Sequence, residues 1–280
     1  MSDRFSRSFA LVKASAAVLK TDPQLLAFPL ASAISMVAVL LCFALPMFGL
    51  AAFDGLREGP EGSALAYSTA FLFYVVQYAV IFYFNAALVG AAMMRMDGAS
   101  PTFGDGLRIA NARFGAILGY AVIAATVGIV LRVIQERVGF LGRIVVGLLG
   151  VGWSVATFLV VPVLVAREVG PVQAVKDSAG LLKQTWGENV IGQAGMGFAF
   201  TVIQVALGAS GLVLVGLAAS VSTALAIVMV VLTIGAVLMA VLVANTLGGI
   251  YAAALYRYAA DGECIGFDKA VFETAFLPKQ

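Results

Sequence analysis

From Asn189 to Tyr256 this chain runs 68 residues without a Lys, Arg, Asp or Glu. A helix crosses the hydrocarbon core of a bilayer with ~20 apolar residues. The stretch therefore holds at least two crossings. In hydrocarbon every backbone N–H and C=O needs a partner within the protein, and a helix supplies one for each. The expected fold class is all-α, a polytopic helical membrane protein.

The rest of the chain agrees. Hydrophobic residues make up 62% and charged residues 11%, against about a quarter charged in soluble domains. A net charge of +2, with the basic residues beside apolar segments rather than in a patch, points away from a nucleic-acid partner. The chain has no His and two Cys, with Cys42 in an apolar segment and Cys264 near the C-terminus. No metal-ligand spacing exists, and no cofactor is expected.

Charges and helix breakers divide the chain into six apolar spans, at about 25–53, 64–94, 114–131, 144–166, 190–215 and 222–256. Gly208, Gly211 and Gly216, with Ser220 and Ser222, are expected to turn the chain between the last two. The first span is too long for a signal-peptide core and is expected to remain as a membrane helix. With the N-terminus cytoplasmic, 13 of the 17 basic residues fall on the cytoplasmic side and only Arg57, Arg132, Arg137 and Arg143 outside. The positive-inside rule then places both termini in the cytoplasm. The three Arg between spans three and four leave open a short interfacial helix over Ile129–Arg143.

The segment Leu11–Lys20, LVKASAAVLK, returns as Ala174–Lys183, AVKDSAGLLK, with six identities, among them Ser15 with Ser178. A weaker copy, Gly106–Gly115, precedes span three. The expected organisation is one membrane domain over 1–280. It holds three parallel units at about 1–97, 98–169 and 170–262, each an amphipathic helix followed by two spans, and a short tail at 263–280. Parallel units relate by an axis along the membrane normal. The amphipathic helices would lie in the headgroup layer. Arg4, Arg7, Lys13, Lys20, Lys176 and Lys183 would contact lipid headgroups, either as an anchoring collar or as a specific lipid site.

No acid or base lies within a span. The intramembrane amides are Gln77, Asn85, Gln193, Gln204 and Asn245. An unpaired amide is costly in hydrocarbon, so each is expected to face another helix. They serve either as interhelical hydrogen bonds or as part of a polar pathway. Asn85, Thr157 and Asn245 stand ten to twelve residues before Arg95, Arg167 and Arg257, and could share a level. Gly115 with Gly119, Ala87 with Ala91, and Gly248 with Ala252 are spaced for close helix approach. Pro46 and Pro162 are candidates to kink their helices.

No nucleophile motif, phosphate loop or metal cluster appears, so no enzymatic activity and no catalytic residue is expected. Taken together, RFSRSFALVKAS, LLAFPL, FNAALVGAA, GDGLR, LGVGWSVATFLVVPVLV, LLKQTWGEN and ALYRYAADGE followed by GFD resemble an uncharacterised family of bacterial integral membrane proteins, a domain of unknown function. The resemblance implies a six-helix protein of the bacterial inner membrane and supplies no activity. A fainter resemblance, to the membrane domains attached to some glycerophosphodiester phosphodiesterases, shares the layout of amphipathic helix and span, and implies no enzymatic role. The expected function is that of a self-associating scaffold or accessory subunit, with membrane lipids and a membrane protein as partners. The alternative is a channel or transporter for a neutral or lipidic solute.

Overall fold

The computed structural model describes residues 15–49, 60–184 and 189–261. Arg4, Arg7, Lys13 and the tail 263–280 lie outside the described residues. Within them the chain forms helices and no strand. Helix α1 is described over 15–21 and is followed by a 3-10 turn, Pro23–Leu26. Then come α2 (Ala27–Gly49), α3 (Pro60–Met96), α4 (Phe103–Ala112), α5 (Phe114–Arg137), α6 (Phe140–Ala156), α7 (Val160–Ala166), α8 (Pro171–Gln184), α9 (Asn189–Ala219) and α10 (Thr223–Asp261).

Six segments are long and apolar enough to cross a bilayer: Pro23–Ala44, Tyr67–Met96, Phe114–Arg137, Phe140–Ala166, Phe200–Ala219 and Thr223–Ala260. The protein is a multi-pass helical membrane protein. Two expected boundaries are corrected. The short interfacial helix over Ile129–Arg143 does not form. Instead α5 continues to Arg137, and only Val138 and Gly139 separate it from α6. Arg132 holds that end helical. Its guanidinium pairs with Glu136 at 3.1 Å and donates to the Tyr74 phenol of α3 at 2.8 Å. Likewise Gly208, Gly211 and Gly216 do not turn the chain but lie within α9. The turn is confined to Ser220–Ser222, where the Ser222 hydroxyl accepts the Leu225 N–H and so caps α10. Gly211 has its own reason to be glycine, because a Cβ there would collide with Thr233 of α10. Pro46 sits within α2 without ending it.

The chain divides into two compact units, Ala27–Gln184 and the residues before Ala27 together with those after Gln184. In the second, α9 and α10 form an antiparallel hairpin, and the turn Pro23–Leu26 packs against α10. In the first, α3 is the hub, touching α2, α4, α5 and α7. Seven consecutive residues of α3, Ala86–Ala92, are buried, which requires neighbours all round the helix. Small side chains permit it, since helix association in lipid rests on close van der Waals packing. A methyl group on Gly90 would lie 2.8 Å from Ile109 of α4. On Gly106 of α4 it would lie 2.5 Å from the Phe28 ring and 2.8 Å from the Ala87 carbonyl. Phe28, 1% exposed, also stacks on Phe103 at 4.8 Å. One ring thus joins the start of α2 to α3 and α4. Of the pair expected to approach closely, a methyl group on Gly119 would lie 2.8 Å from Pro171 of α8, whereas one on Gly115 would meet nothing.

Helix α4 is started by a capping box. The Thr102 hydroxyl accepts the Asp105 N–H, and the Asp105 carboxylate accepts the Thr102 N–H at 3.0 Å. The bond from the Thr102 backbone, then that from its hydroxyl, with Arg108 adding to them, holds the Asp105 carboxyl below its ordinary value. The lowered folded value means that this stabilisation is complete above about pH 4 and is lost as pH falls through the lowered value.

Three outcomes are expected. Gly106→Val should lower the unfolding free energy by about 1–3 kcal/mol through overpacking, read by denaturant titration in lipid nanodiscs. Gly115→Ala, where a methyl group meets open space, should not lower it. Amide exchange at Gly104–Gly106, corrected for its intrinsic pH dependence, should be level above about pH 4. It should speed up as acid protonates Asp105.

Candidate functional site

The fourth crossing is not one helix. α6 ends at Ala156, α7 begins at Val160, and Thr157–Leu159 form a turn between them. The Phe158 N–H donates to the Val155 carbonyl at 3.1 Å and the Val160 N–H to the Thr157 carbonyl at 3.1 Å, a tightened 3-10 pattern. Pro162 lies three residues beyond the turn. Lacking an N–H, it cannot continue the ladder back to residue 158. All of Val160–Leu164 is buried, so the groups released here have little water to turn to.

The side chain that closes the interruption is Ser178 of α8. Its Oγ accepts the Leu159 N–H at 3.1 Å and donates to the Ala156 carbonyl at 2.7 Å. One hydroxyl, 0% exposed, satisfies a donor and an acceptor on opposite sides of the turn. It also pins α8 to the span. Ala174, Ser178 and Leu182, at successive helical turns, are the buried stripe of α8, while Lys176 and Lys183 are exposed. Lys20 of α1 is likewise exposed.

Thr157 is spent on the same turn. Its hydroxyl donates to the Trp153 carbonyl at 2.8 Å and partners the Tyr120 phenol of α5. The Tyr120 ring lies 4.5 Å from Phe82 of α3, which stacks on Tyr78 at 5.6 Å. Beyond the interruption, ionic contacts join the ends of the elements. Arg113 pairs with Glu168 at 3.0 Å and Arg167 with Asp177 at 3.4 Å. The Gln173 amide donates to Asp177 at 2.6 Å. The Tyr83 phenol donates to Asn111 at 2.8 Å, tying α3 to α4.

The other expected site residues are dispersed. Gln77 of α3 donates to the Met36 carbonyl of α2 at 3.4 Å, an interhelical bond of the expected kind, while its Oε1 is buried without a partner. Asn85 is half-buried on α3 and Gln204 half-buried on α9. Asn85 and Thr157 belong to one compact unit and Asn245 to the other. Asn245 is exposed on α10. α10 offers its buried positions to other residues, Thr246, Leu247 and Gly249–Tyr256. Ser178 is the position at this interruption that sequence reasoning passed over. Its signal was present as the one hydroxyl shared by LVKASAAVLK and AVKDSAGLLK, downstream of a proline inside an apolar span. Among the described residues no group of His, Cys, Asp or Glu has the geometry to hold a metal.

Removing the hydroxyl tests this arrangement. Ser178→Ala should leave the Leu159 N–H and the Ala156 carbonyl without their buried partner, at about 1–3 kcal/mol. Hydrogen exchange should speed up at Phe158–Val160 and within α8, with Ala86–Ala92 unchanged.

No curated protein and no solved structure matches the chain. A model of a family of unknown function (DUF6159) matches residues 64–267, which takes in five of the six crossings, the interrupted span and α8. The chain therefore belongs to DUF6159, a family of unknown function.

Proposed function

We propose that this protein is a non-enzymatic, self-associating scaffold or accessory subunit of a bacterial inner membrane, with both termini in the cytoplasm. One observation carries the reading. Two of the five polar side chains offered for a pathway are committed to the fold: Gln77 to the Met36 carbonyl, and Thr157 to Trp153 and Tyr120. The orientation rests on the excess of basic residues on one side of the six crossings. Arg95, Arg113 and Arg167 mark that side in the unit Ala27–Gln184.

α4 and α8 act as amphipathic collar helices at the cytoplasmic face. Each has a charged side open to anionic headgroups: Arg108 on α4, exposed while paired with Asp105 at 3.1 Å, and Lys176 and Lys183 on α8. Their apolar stripes, Gly106 with Ala110 and Ala174 with Ser178 and Leu182, are already buried. This favours a collar that steadies the protein at the interface over one that inserts deeply. The partners are membrane lipids, further copies of the chain and a second membrane protein.

A second reading, a channel or transporter for a neutral or lipidic solute, draws on the interruption at Thr157–Leu159, since broken membrane helices often line substrate sites. Here the freed backbone is occupied by Ser178, which leaves the scaffold reading ahead.

Mass photometry of the protein in native-lipid nanodiscs discriminates the two. The scaffold reading expects particles holding several copies of the 29.0 kDa chain, or a co-purifying membrane protein. A strict monomer without a partner would overturn it. If liposomes also showed solute flux that Asn85→Leu and Asn245→Leu abolish, transport would take its place.

A further inference from the structure

The repeated segment gives three equivalent positions: Ser15 in α1, Ala110 in α4 and Ser178 in α8. All three are 0% exposed. Each copy can be compared with a span at one level, counted back from the arginine near its end. Eleven and eight residues before Arg167 are Ala156 and Leu159, the two backbone partners of Ser178. The same offsets from Arg95 give Phe84 and Ala87 in α3. From Arg257 they give Thr246 and Gly249 in α10.

The three cases differ in an informative way. Where the copy carries Ser178, the span is interrupted and the hydroxyl bridges the gap. Where it carries Ala110, which has no hydroxyl, the span is the unbroken helix Pro60–Met96. In the remaining copy the serine is present but the span is unbroken, as α10 runs from Thr223 to Asp261. There the Ser15 hydroxyl is buried without a hydrogen-bond partner. Ser15 and α10 belong to one compact unit, and the turn Pro23–Leu26 that follows α1 packs on α10.

A buried hydroxyl without a partner is costly. α10 also carries the features of a helix prepared to open at this level. Gly248 and Gly249 are adjacent, and glycine weakens a helix interior. Thr246 directs its hydroxyl onto the Leu242 carbonyl at 2.7 Å, as Thr157 does onto Trp153, and such back-bonding slightly destabilises a helix.

We propose that α10 has a second conformation, interrupted at Gly248–Gly249, in which the Ser15 hydroxyl closes the gap as Ser178 does in the fourth crossing. The continuous helix is then one state of a two-state span, and α1 is its latch. In the open state the end of α10 from Ile250 to Asp261 reorients as a half-helix, and Ser15 accepts one freed N–H and donates to one freed carbonyl.

Distances between spin labels in the full chain test this, with Cys42→Ser and Cys264→Ser as background and labels at Ala224→Cys and Ala260→Cys. A continuous helix sets the labelled backbone positions about 54 Å apart. The proposal expects a second, shorter population in lipid nanodiscs. Ser15→Ala should remove it, because the closed state loses its orphan group and the open state its latch. Gly248→Ala should remove it as well, and does so without a clash, since a Cβ there meets nothing within 4 Å. Ser178→Ala should leave it in place. A single distance in the unsubstituted protein, or a shorter population that survives Ser15→Ala or Gly248→Ala, would overturn the proposal.

Discussion

A backbone group inside a bilayer has no water to bond, and this constraint governs where the chain is regular and where it is not. Continuous helices satisfy it without help, so long apolar stretches become α3 and α10 whatever their side chains prefer. An interruption is tolerated only where a side chain steps in. At Thr157–Leu159 that side chain is Ser178, which serves a donor and an acceptor at once. The position of α8 follows from this pair of bonds as much as from its apolar stripe. A short helix outside the span and an irregularity within it are thus one feature of the fold.

The second determinant is closeness. Lipid tails are as apolar as leucine, so burying leucine between helices gains little over leaving it in lipid, and tight backbone approach has to supply the attraction. The seven buried residues Ala86–Ala92 and the contacts of Gly90 and Gly106 show how the hub reaches that closeness. Phe28 is the large counterpart: it fills the gap that Gly106 leaves, with no room for another methyl group. The first crossing is fixed at one end by its opening residues, while large apolar side chains further along, such as Ile34 and Val37, remain exposed as expected of a lipid-facing surface.

Much of this was legible in the sequence, and the limits have physical causes. The six crossings follow from charge-free length, which depends on composition alone. The boundaries shifted where local chemistry outweighed composition. Arg132, Arg137 and Arg143 left open a separate interfacial helix, yet α5 continues to Arg137, with Arg132 bonded to Glu136 at i, i+4 and to Tyr74. Gly208, Gly211 and Gly216 read as a turn, yet all three lie within α9, and at Gly211 the neighbouring Thr233 of α10 leaves no room for a side chain. The intramembrane amides were visible as a class. Which of them would find a partner was not, because this depends on the rotational setting of each helix: Gln77 faces Met36 and Asn245 faces outward. The shared serine of the repeated segments was readable as a pattern, but its purpose needed the interruption opposite it.

The ion pairs at the arginine end contribute less to this architecture than their number suggests. The Glu168 side chain is 85% exposed and Arg167 is 42% exposed, and exposed pairs are worth at most about 1 kcal/mol each. The buried bonds beside them, from Ser178 to the turn, are shielded from solvent and salt. α8 is therefore held by packing and by the serine, and the charges on its outer face are left free of structural duty.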